Sequence, residues 1–471
     1  MPYSDLREFI AQLEQEKEIV RVKAEVDVRY EMGAICRNVL SQGGVERNPA
    51  LLFEKPKGFC IPVAAGLLDS RPRYYLATGI PRENFWQTFM EKLGSPVPPR
   101  IIKEGACKQN VLIGKDADLS KFPIPTWNEK DGGPYITQGV TIIKNPETGV
   151  RNVGMYRLMV HDNQSLGILA AQYRQINEFS RQVHRLGKAF PVVISIGMDP
   201  AITAASIVAL PPDTDELNLA GAFRGEPVDL IRCETIPLEV PATAEIVIEG
   251  EIRPGDLRPE GPFGEYTGYY GEKMSRPVIS VKAITHRRNP IFQACYQGRP
   301  PNCDMVTQVL SHEAQIMARV YPTGLRKIRM CTGSAMYMAI ASVRKEYAGQ
   351  ERNIACSILG TPSGKWIKTL IMIDDDLDPD NWTDVEWALG TRFQPAEDLM
   401  VLPGMTGIVL DPSILEGEKR ANASRTSKLV IDATKPIHRA YPEECRPKPE
   451  MMEKVLAEWD KYGIPLRKRS S

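Results

Sequence analysis

The sequence contains no run of about 18 consecutive apolar residues, the length a membrane-spanning helix requires, so no membrane role is expected. It also carries no net charge: 59 Lys and Arg balance 59 Asp and Glu, which leaves no overall field to attract a nucleic acid or an anionic lipid surface. Its nine cysteines (36, 60, 107, 233, 295, 303, 331, 356 and 445) form no CxxC pair, so zinc ribbons and thioredoxin chemistry lack their spacing. They read as reduced and mostly buried thiols of a cytoplasmic enzyme. The five histidines (161, 184, 286, 312 and 438) show no HExxH or other paired metal spacing and read as polar surface or capping residues. GxSxG, P-loop and strand-following GxGxxG patterns are absent, which removes the signatures of α/β-hydrolases, nucleotide triphosphatases and dinucleotide dehydrogenases. The N-terminus, MPYSDLREFIAQLEQEKEIV, is amphipathic and charged, unlike a secretory signal.

What is present is 471 residues of ordinary globular composition, 42% hydrophobic and 25% charged, enough for two to four cores. Ser4 followed by Asp5 and Glu8 marks the N-cap of a helix carrying Leu6, Phe9, Ile10 and Leu13 on one face. Short strands around 19–22, 50–53 and 61–65 and a helix over 30–40 complete an α/β region spanning 1–105. From 106 to 305 the texture is β-rich and punctuated by Gly and Pro (ITQGVTIIK, PVVISIG, EIVIEGEI, VISVKAITHR), favouring a barrel or sandwich interrupted by helices over 173–186 and 215–222. Residues 306–471 alternate again: helix 307–319, strand IRMCT, helix 340–348, strand KTLIMIDDDLD, helix 381–390 and a terminal helix over 449–461.

Three segments carry residues suited to chemistry. In RPEGPFGEYTGYYG, Glu260 and Glu265 stand on one glycine-rich loop, where two close carboxylates split their proton affinities and one can hold a proton for general acid work. A turn with two solvated glutamates fits the same spacing. In NVGMYR, strand alternation sets Asn152, Gly154 and Tyr156 on one face and Val153, Met155 and Arg157 on the other. A guanidinium buried there needs a partner, and a flavin edge, a substrate carboxylate or Glu260 would each serve. In PPDTDELNLAGAFRG, Asp213 or Asp215 caps a helix with Glu216 in its first turn, a placement that suits the helix dipole or a metal-bound phosphate.

Taken in order, NVGMYR, DELNLAG, VPATAEIVIEGEI, EGPFGEYTGYY and SKLVIDAT resemble the UbiD family of reversible decarboxylases, and the resemblance runs from DLREFI and EVD through FPIPTWNEKDGGPYITQG to Ser427, Lys428, Asp432, Ala433 and Thr434. It implies a mixed α+β and α/β fold with a central split β-barrel, flavin-reductase-like, flanked by the N-terminal α/β region and a C-terminal α/β domain. It implies prenylated FMN, supplied by a flavin prenyltransferase and held through its phosphate by Mn2+ and K+. Asn152 and Glu216 correspond to metal ligands, and Asn152, Val153, Gly154, Met155, Tyr156, Arg157, Gln172, Tyr173, Arg174, Glu216 and Lys428 to the cofactor site, Lys428 as a phosphate contact. Glu265 corresponds to the proton donor, with Arg157 and Glu260 as an orienting ion pair.

One position departs from the family pattern: the histidine expected seven residues after Gly167 is Arg174, which cannot ligate a metal but can bind phosphate, leaving Gln172 or Gln175 to supply an oxygen. The expected substrate is an aromatic, heteroaromatic or α,β-unsaturated acid, with CO2 as co-product and a homodimer or hexamer as the assembly. Arg299 in GRPP stands ready for a second anionic group or an internal pair, and Tyr337, Met338 and Arg326 are further candidates for pocket lining. Net carboxylation, a non-catalytic subunit of a multi-subunit carboxylase and an FMN-dependent reductase are the competing readings.

Overall fold

The computed structural model describes residues 3–170, 174–302, 305–414, 424–438 and 440–464, without the side chains of 43–47. The first helix, Leu6–Gln15, buries Leu6, Phe9, Ile10 and Leu13 as its spacing predicts. Its cap lies one residue later than expected: the Asp5 carboxylate accepts from the amides of Arg7 and Glu8, while the Ser4 amide donates to Glu8. A carboxylate satisfies two orphan amides at once, which a serine hydroxyl does less well.

Three of the five sheets among the described residues organise the chain. The N-terminal sheet runs Ile19–Val26, Ala50–Pro56, Val63–Ala65 and Phe292–Ala294, so a strand from beyond residue 290 completes it and ties the first region to the central one. The central sheet has nine strands and curls into a half-barrel. Its backbone is the long antiparallel ribbon of Ile246–Glu260 and Met274–His286, flanked by Ser165–Ile168 and Leu158–Asp162 on one side and by Phe190–Ile196, Val140–Lys144 and Arg151–Met155 on the other. The mixed α/β architecture with a split barrel and flanking regions is therefore the one expected. The interior is filled by Ile194, Ile196, Ile248, Ile279 and Ile284, β-branched residues that suit a pleated surface buried on both sides.

The C-terminal sheet is ordered Leu325–Met330, Met338–Val343, Thr369–Asp374, Arg425–Ala433, Leu399–Thr406, with parallel pairs at its centre. Here one expectation fails. Residues 340–348 are not a helix: Met338–Val343 is a central strand, and the helix is Gln350–Gly360. AIASV is buried on both faces of its sheet, so it shows no alternation and cannot be told from a helical segment by periodicity. The terminal helix stops at Ala457, followed by a single 3₁₀ turn. Among the described residues, no helix is long and apolar enough to cross a membrane.

Candidate active site

The loop Glu260–Gly271 doubles back so that both glutamates reach one guanidinium. Glu260 ends the long strand of the ribbon, and the turn after it is closed by the Glu265 amide on the Tyr269 carbonyl (2.9 Å) and the Gly268 amide on the Glu265 carbonyl (2.9 Å). Gly268 is left-handed (φ 87°) and packs against the Arg299 backbone, where a Cβ would sit 2.9 Å from the Arg299 Cα. Arg157 donates from Nε to Glu260 Oε1 at 3.0 Å and from Nη2 to Glu260 Oε2 at 2.8 Å, a fork-to-fork pair. Its Nη1 contacts Glu265 Oε1, and its plane lies over the Phe263 ring at 5.0 Å.

Both glutamates are buried, which removes the solvated-turn reading. Burial pushes the Glu265 carboxyl above its usual range, Arg157 opposes this, and Glu260 adds to it. One guanidinium thus faces two carboxylates in a dry site, and Glu265 is the one inclined to keep its proton.

Sequence reasoning missed two supports of this cluster. The buried Tyr135 hydroxyl donates to Glu260 Oε1 at 3.0 Å. Asp131 accepts from the amides of Gly264 (2.8 Å) and Asn128 (2.9 Å), tethering the loop that carries Glu265. Both belong to the stretch DGGPY, whose Gly and Pro beside an acid and an aromatic were the available signal. The adjoining Tyr266 hydroxyl meets Tyr337 of the C-terminal domain at 3.3 Å. Of the three proposed lining residues only Tyr337 is at this site, because Met338 packs into a small core of the C-terminal domain and Arg326 stacks over Tyr321 at 5.5 Å. Arg299 is exposed, and its carbonyl accepts from Arg37 Nη1 at 2.6 Å.

A second cluster forms where the strand Arg151–Met155 meets the helix Glu216–Arg224, which Asp215 rather than Asp213 caps. Glu216 accepts from Asn152 Nδ2 at 3.0 Å and from the Val153 amide at 2.7 Å. Burial nevertheless pushes its carboxyl up to about 8. Further along, Gly154 leaves room for the Tyr156 ring, since a Cβ there would lie 3.2 Å from it, and Met155 packs on the neighbouring core. Arg174 lies over Tyr156 at 5.7 Å, and its charge also bears on Lys365 and His312. Burial and the Arg174 cation hold the Lys365 ammonium below its usual value. His312 is buried rather than a surface residue: burial, with Lys365 and Arg174, pulls its ring down to about 3, and Nδ1 lies 3.1 Å from Ser363 Oγ. Gln172 and Tyr173 lie outside the described residues, and Gln175 opens the helix Gln175–Arg185.

Lys428 requires a correction. Its ammonium is buried and donates to the carbonyls of Gly364 (2.7 Å), Ile367 (2.5 Å) and Lys365 (3.3 Å). An ammonium has three hydrogens, all spent here on the turn that presents Lys365, so none is left for a phosphate. Among the described residues no group of three or more His, Cys, Asp or Glu side chains could hold a metal ion.

Comparison with known proteins gives this geometry a family. Models for the 3-octaprenyl-4-hydroxybenzoate carboxy-lyase N-terminal domain, Rift-related domain and C-terminal domain match residues 10–93, 100–300 and 306–433. The UbiD-class enzyme HmfF from Pelotomaculum thermopropionicum, solved in complex with FMN, is 33% identical with a TM-score of 0.88, over 97% of this chain and 100% of that one. Vanillic acid decarboxylase from Sedimentibacter hydroxybenzoicus, in open form, is 30% identical with a TM-score of 0.86, over 98% of this chain and 100% of its own. An uncharacterised protein of Archaeoglobus fulgidus is 34% identical over 98% of both chains. The chain belongs to the UbiD family and is a carboxy-lyase of that class.

Proposed function

We propose that this carboxy-lyase releases CO2 reversibly from an aromatic, heteroaromatic or α,β-unsaturated carboxylic acid with prenylated FMN bound, and that Glu265 protonates the carbon from which CO2 departs. The observation that carries the reading is the imbalance of one guanidinium against two buried carboxylates, with burial pushing Glu265 up. Loss of CO2 from an sp2 carbon leaves an electron pair, and the bound prenylated flavin supplies the sink. The chain supplies the rest. Glu265 holds a proton in a site that excludes water, and the Arg157–Glu260 fork keeps the guanidinium turned toward it.

The residues fit a flavin phosphate and its cations. Glu216 with the Asn152 amide is a buried acid that a divalent ion such as Mn2+ would hold ionised in place of its proton. Arg174 and Lys365 would supply positive charge for the phosphate at the position where the family histidine is missing, with K+ as the second cation that the resemblance implies. HmfF was solved with FMN and, in an evolved dimeric form, with prenylated FMN. The same reading makes a flavin prenyltransferase the supplier of the cofactor and a homo-oligomer the working assembly.

The decisive experiment is co-expression with a flavin prenyltransferase, an absorption spectrum of the purified protein, and a screen of aromatic and acrylic acids for CO2 release. Glu265→Gln in the loaded enzyme is expected to bind the acid and lose ~10²–10⁴-fold in turnover, the range of general acid catalysis. Near-normal decarboxylation by that variant would sink the assignment.

A further inference from the structure

His161 lies on the strand that follows Arg157, and strand alternation puts Arg157, Met159 and His161 on one face at two-residue steps. That face looks onto the end of the ribbon: the Gly261 amide donates to Met159 Sδ at 3.4 Å. Gly167, on the adjacent strand, makes the next contact close. A Cβ at Gly167 would lie 2.5 Å from His161 Nε2 and 3.3 Å from Glu260 Cγ, so the imidazole and the carboxylate side chain share the space that this glycine leaves open. The ring is half-buried, but Nε2 itself is shielded from solvent and has no hydrogen-bond partner among the described residues. Such an atom in a polar neighbourhood is costly unless it serves a second state of the site.

The charges around it are mixed. Arg258, paired with Asp162 at 2.8 Å and bonded to Ser165 Oγ at 2.9 Å, lies on the strand of Glu260 together with Asp256. Arg276 on the opposite arm of the ribbon faces Glu260. Burial and Arg258 pull the imidazole below its ordinary value, while Asp162, Glu260 and Asp256 push it up. The ring therefore stands where an added negative charge in the cluster can tip its protonation.

We propose that His161 takes up a proton from solvent as Glu265 gives up its own, keeping the buried Arg157–Glu260–Glu265 cluster neutral through the reaction. The inference rests on Glu265 as the donor. At rest, the hydrogen-bonded trio of the Arg157 guanidinium, the Glu260 carboxylate and the Glu265 carboxylic acid sums to zero, with Arg276 and Asp131 as opposite charges beside it. When the C–CO2 bond breaks and the C–H bond forms with the Glu265 proton, CO2 leaves neutral and the negative charge that the substrate carboxylate brought in stays behind on Glu265, so the cluster is −1 in a medium that penalises net charge. A proton on His161 restores neutrality. Its return to solvent as Glu265 is reprotonated closes the cycle, with one proton consumed for each CO2 released from a carboxylate. In this proposal His161 acts through Glu260 rather than on the reacting carbon, which makes it a positioning residue.

Two measurements test this on the full chain. In the protein without cofactor, the His161 ring is titrated by NMR, its signal assigned with His161→Gln. Glu260→Gln is expected to lower its pKa by about one unit, and a shift below about 0.2 overturns the proposal. Gly167→Ala, which displaces the ring while Arg157 still holds Glu260, is expected to lower it in the same direction. In the loaded enzyme, His161→Gln is expected to reduce kcat about tenfold with KM for the acid unchanged. His161→Arg, permanently charged, should restore most of kcat and make it independent of pH over the range in which His161 titrates in the wild type. Equal losses in the Gln and Arg variants mark a packing role and overturn the proposal, as does a His161→Gln enzyme with wild-type kcat. A null titration alongside an inactive Glu265→Gln variant drops this inference alone, whereas an active Glu265→Gln variant removes the donor reading and this proposal with it.

Discussion

Two of the arginines that hold carboxylates in this protein, Arg71 and Arg157, differ in stoichiometry rather than in depth. Arg71, on the helix Arg71–Thr78, pairs with Glu313 of the C-terminal helix Met305–Val320 at 3.0 Å, their side chains 7% and 10% exposed. The other oxygen contacts are equally structural: Glu313 Oε1 also accepts from the Met330 amide at 2.8 Å. One cation meets one anion, and the pair joins the first region of the chain to the last. Arg157 is as deeply placed, at 10% exposure, yet it meets Glu260 and Glu265 at 1% and 8%. A matched pair has no reason to exchange protons, whereas an unmatched one traps a proton that can be given away. Between these two clusters the difference is the number of carboxylates per guanidinium at equal burial, which is why we place the proton donor beside Arg157 and leave Arg71 a joint.

The sharpest way to break this contrast is to remove one charged partner from each cluster. Arg157→Met should abolish turnover by at least the ~10²–10⁴-fold assigned to acid catalysis, because two carboxylates left without a counter-charge both favour protonation and the acid loses its aim. Glu313→Gln should leave the pH dependence of turnover unaltered but lower stability by ~3–5 kcal/mol, the cost of stranding a buried charge, read as a fall in Tm. A Glu313→Gln protein with wild-type Tm and altered turnover would reverse the roles.

Glu216 sharpens the comparison from the pH side. Its folded value, about 8, lies above the unfolded value near 4.5, so the native state holds a proton that the unfolded state has released between those limits. Without cofactor, stability should fall as pH rises from about 4.5 to about 8, by at most ~1.4 kcal/mol per pH unit. Glu216→Gln should flatten that slope. Mn2+ should raise Tm more at pH 9 than at pH 6 in the wild type and in neither case in the variant. The smallest effect belongs to Lys428→Met: a loss of ~1–3 kcal/mol from three carbonyls left without their donor, with flavin retention reduced only through a looser Lys365 turn. Complete loss of flavin at unchanged Tm would restore Lys428 as a direct ligand.

Much of this site could be read before any coordinates. Glu260, Glu265 and Arg157 come together, as do Asn152 and Glu216, since each set is carried by short segments whose strand alternation or capping pattern limits where side chains can go. What escaped was decided by tertiary placement. Lys428 stands in a motif that matches the family, but a side chain's target depends on which neighbouring turn offers carbonyls, and that turn is some sixty residues away in sequence. His312 looked like any lone histidine until the helix Met305–Val320 was found buried along most of its length. Residues 340–348 read as helix in the sequence because the strand Met338–Val343, covered on both faces, has no polar beat. His161 gave no pattern at all, for its meaning depends on a glycine in the next strand.

The ribbon that carries Glu260 imposes a tolerance on the whole device. Glu260 is the last residue of a strand that begins at Ile246 and pairs with Met274 on the facing arm, after register shifts between Glu249 and Gly250 and between Ile252 and Leu257. Side chains along a strand change face at every residue, so an insertion or deletion of one residue past the second shift would turn the carboxylate outward. A one-residue change within Leu257–Glu260, where no further shift can absorb it, is therefore expected to remove turnover while leaving the barrel folded.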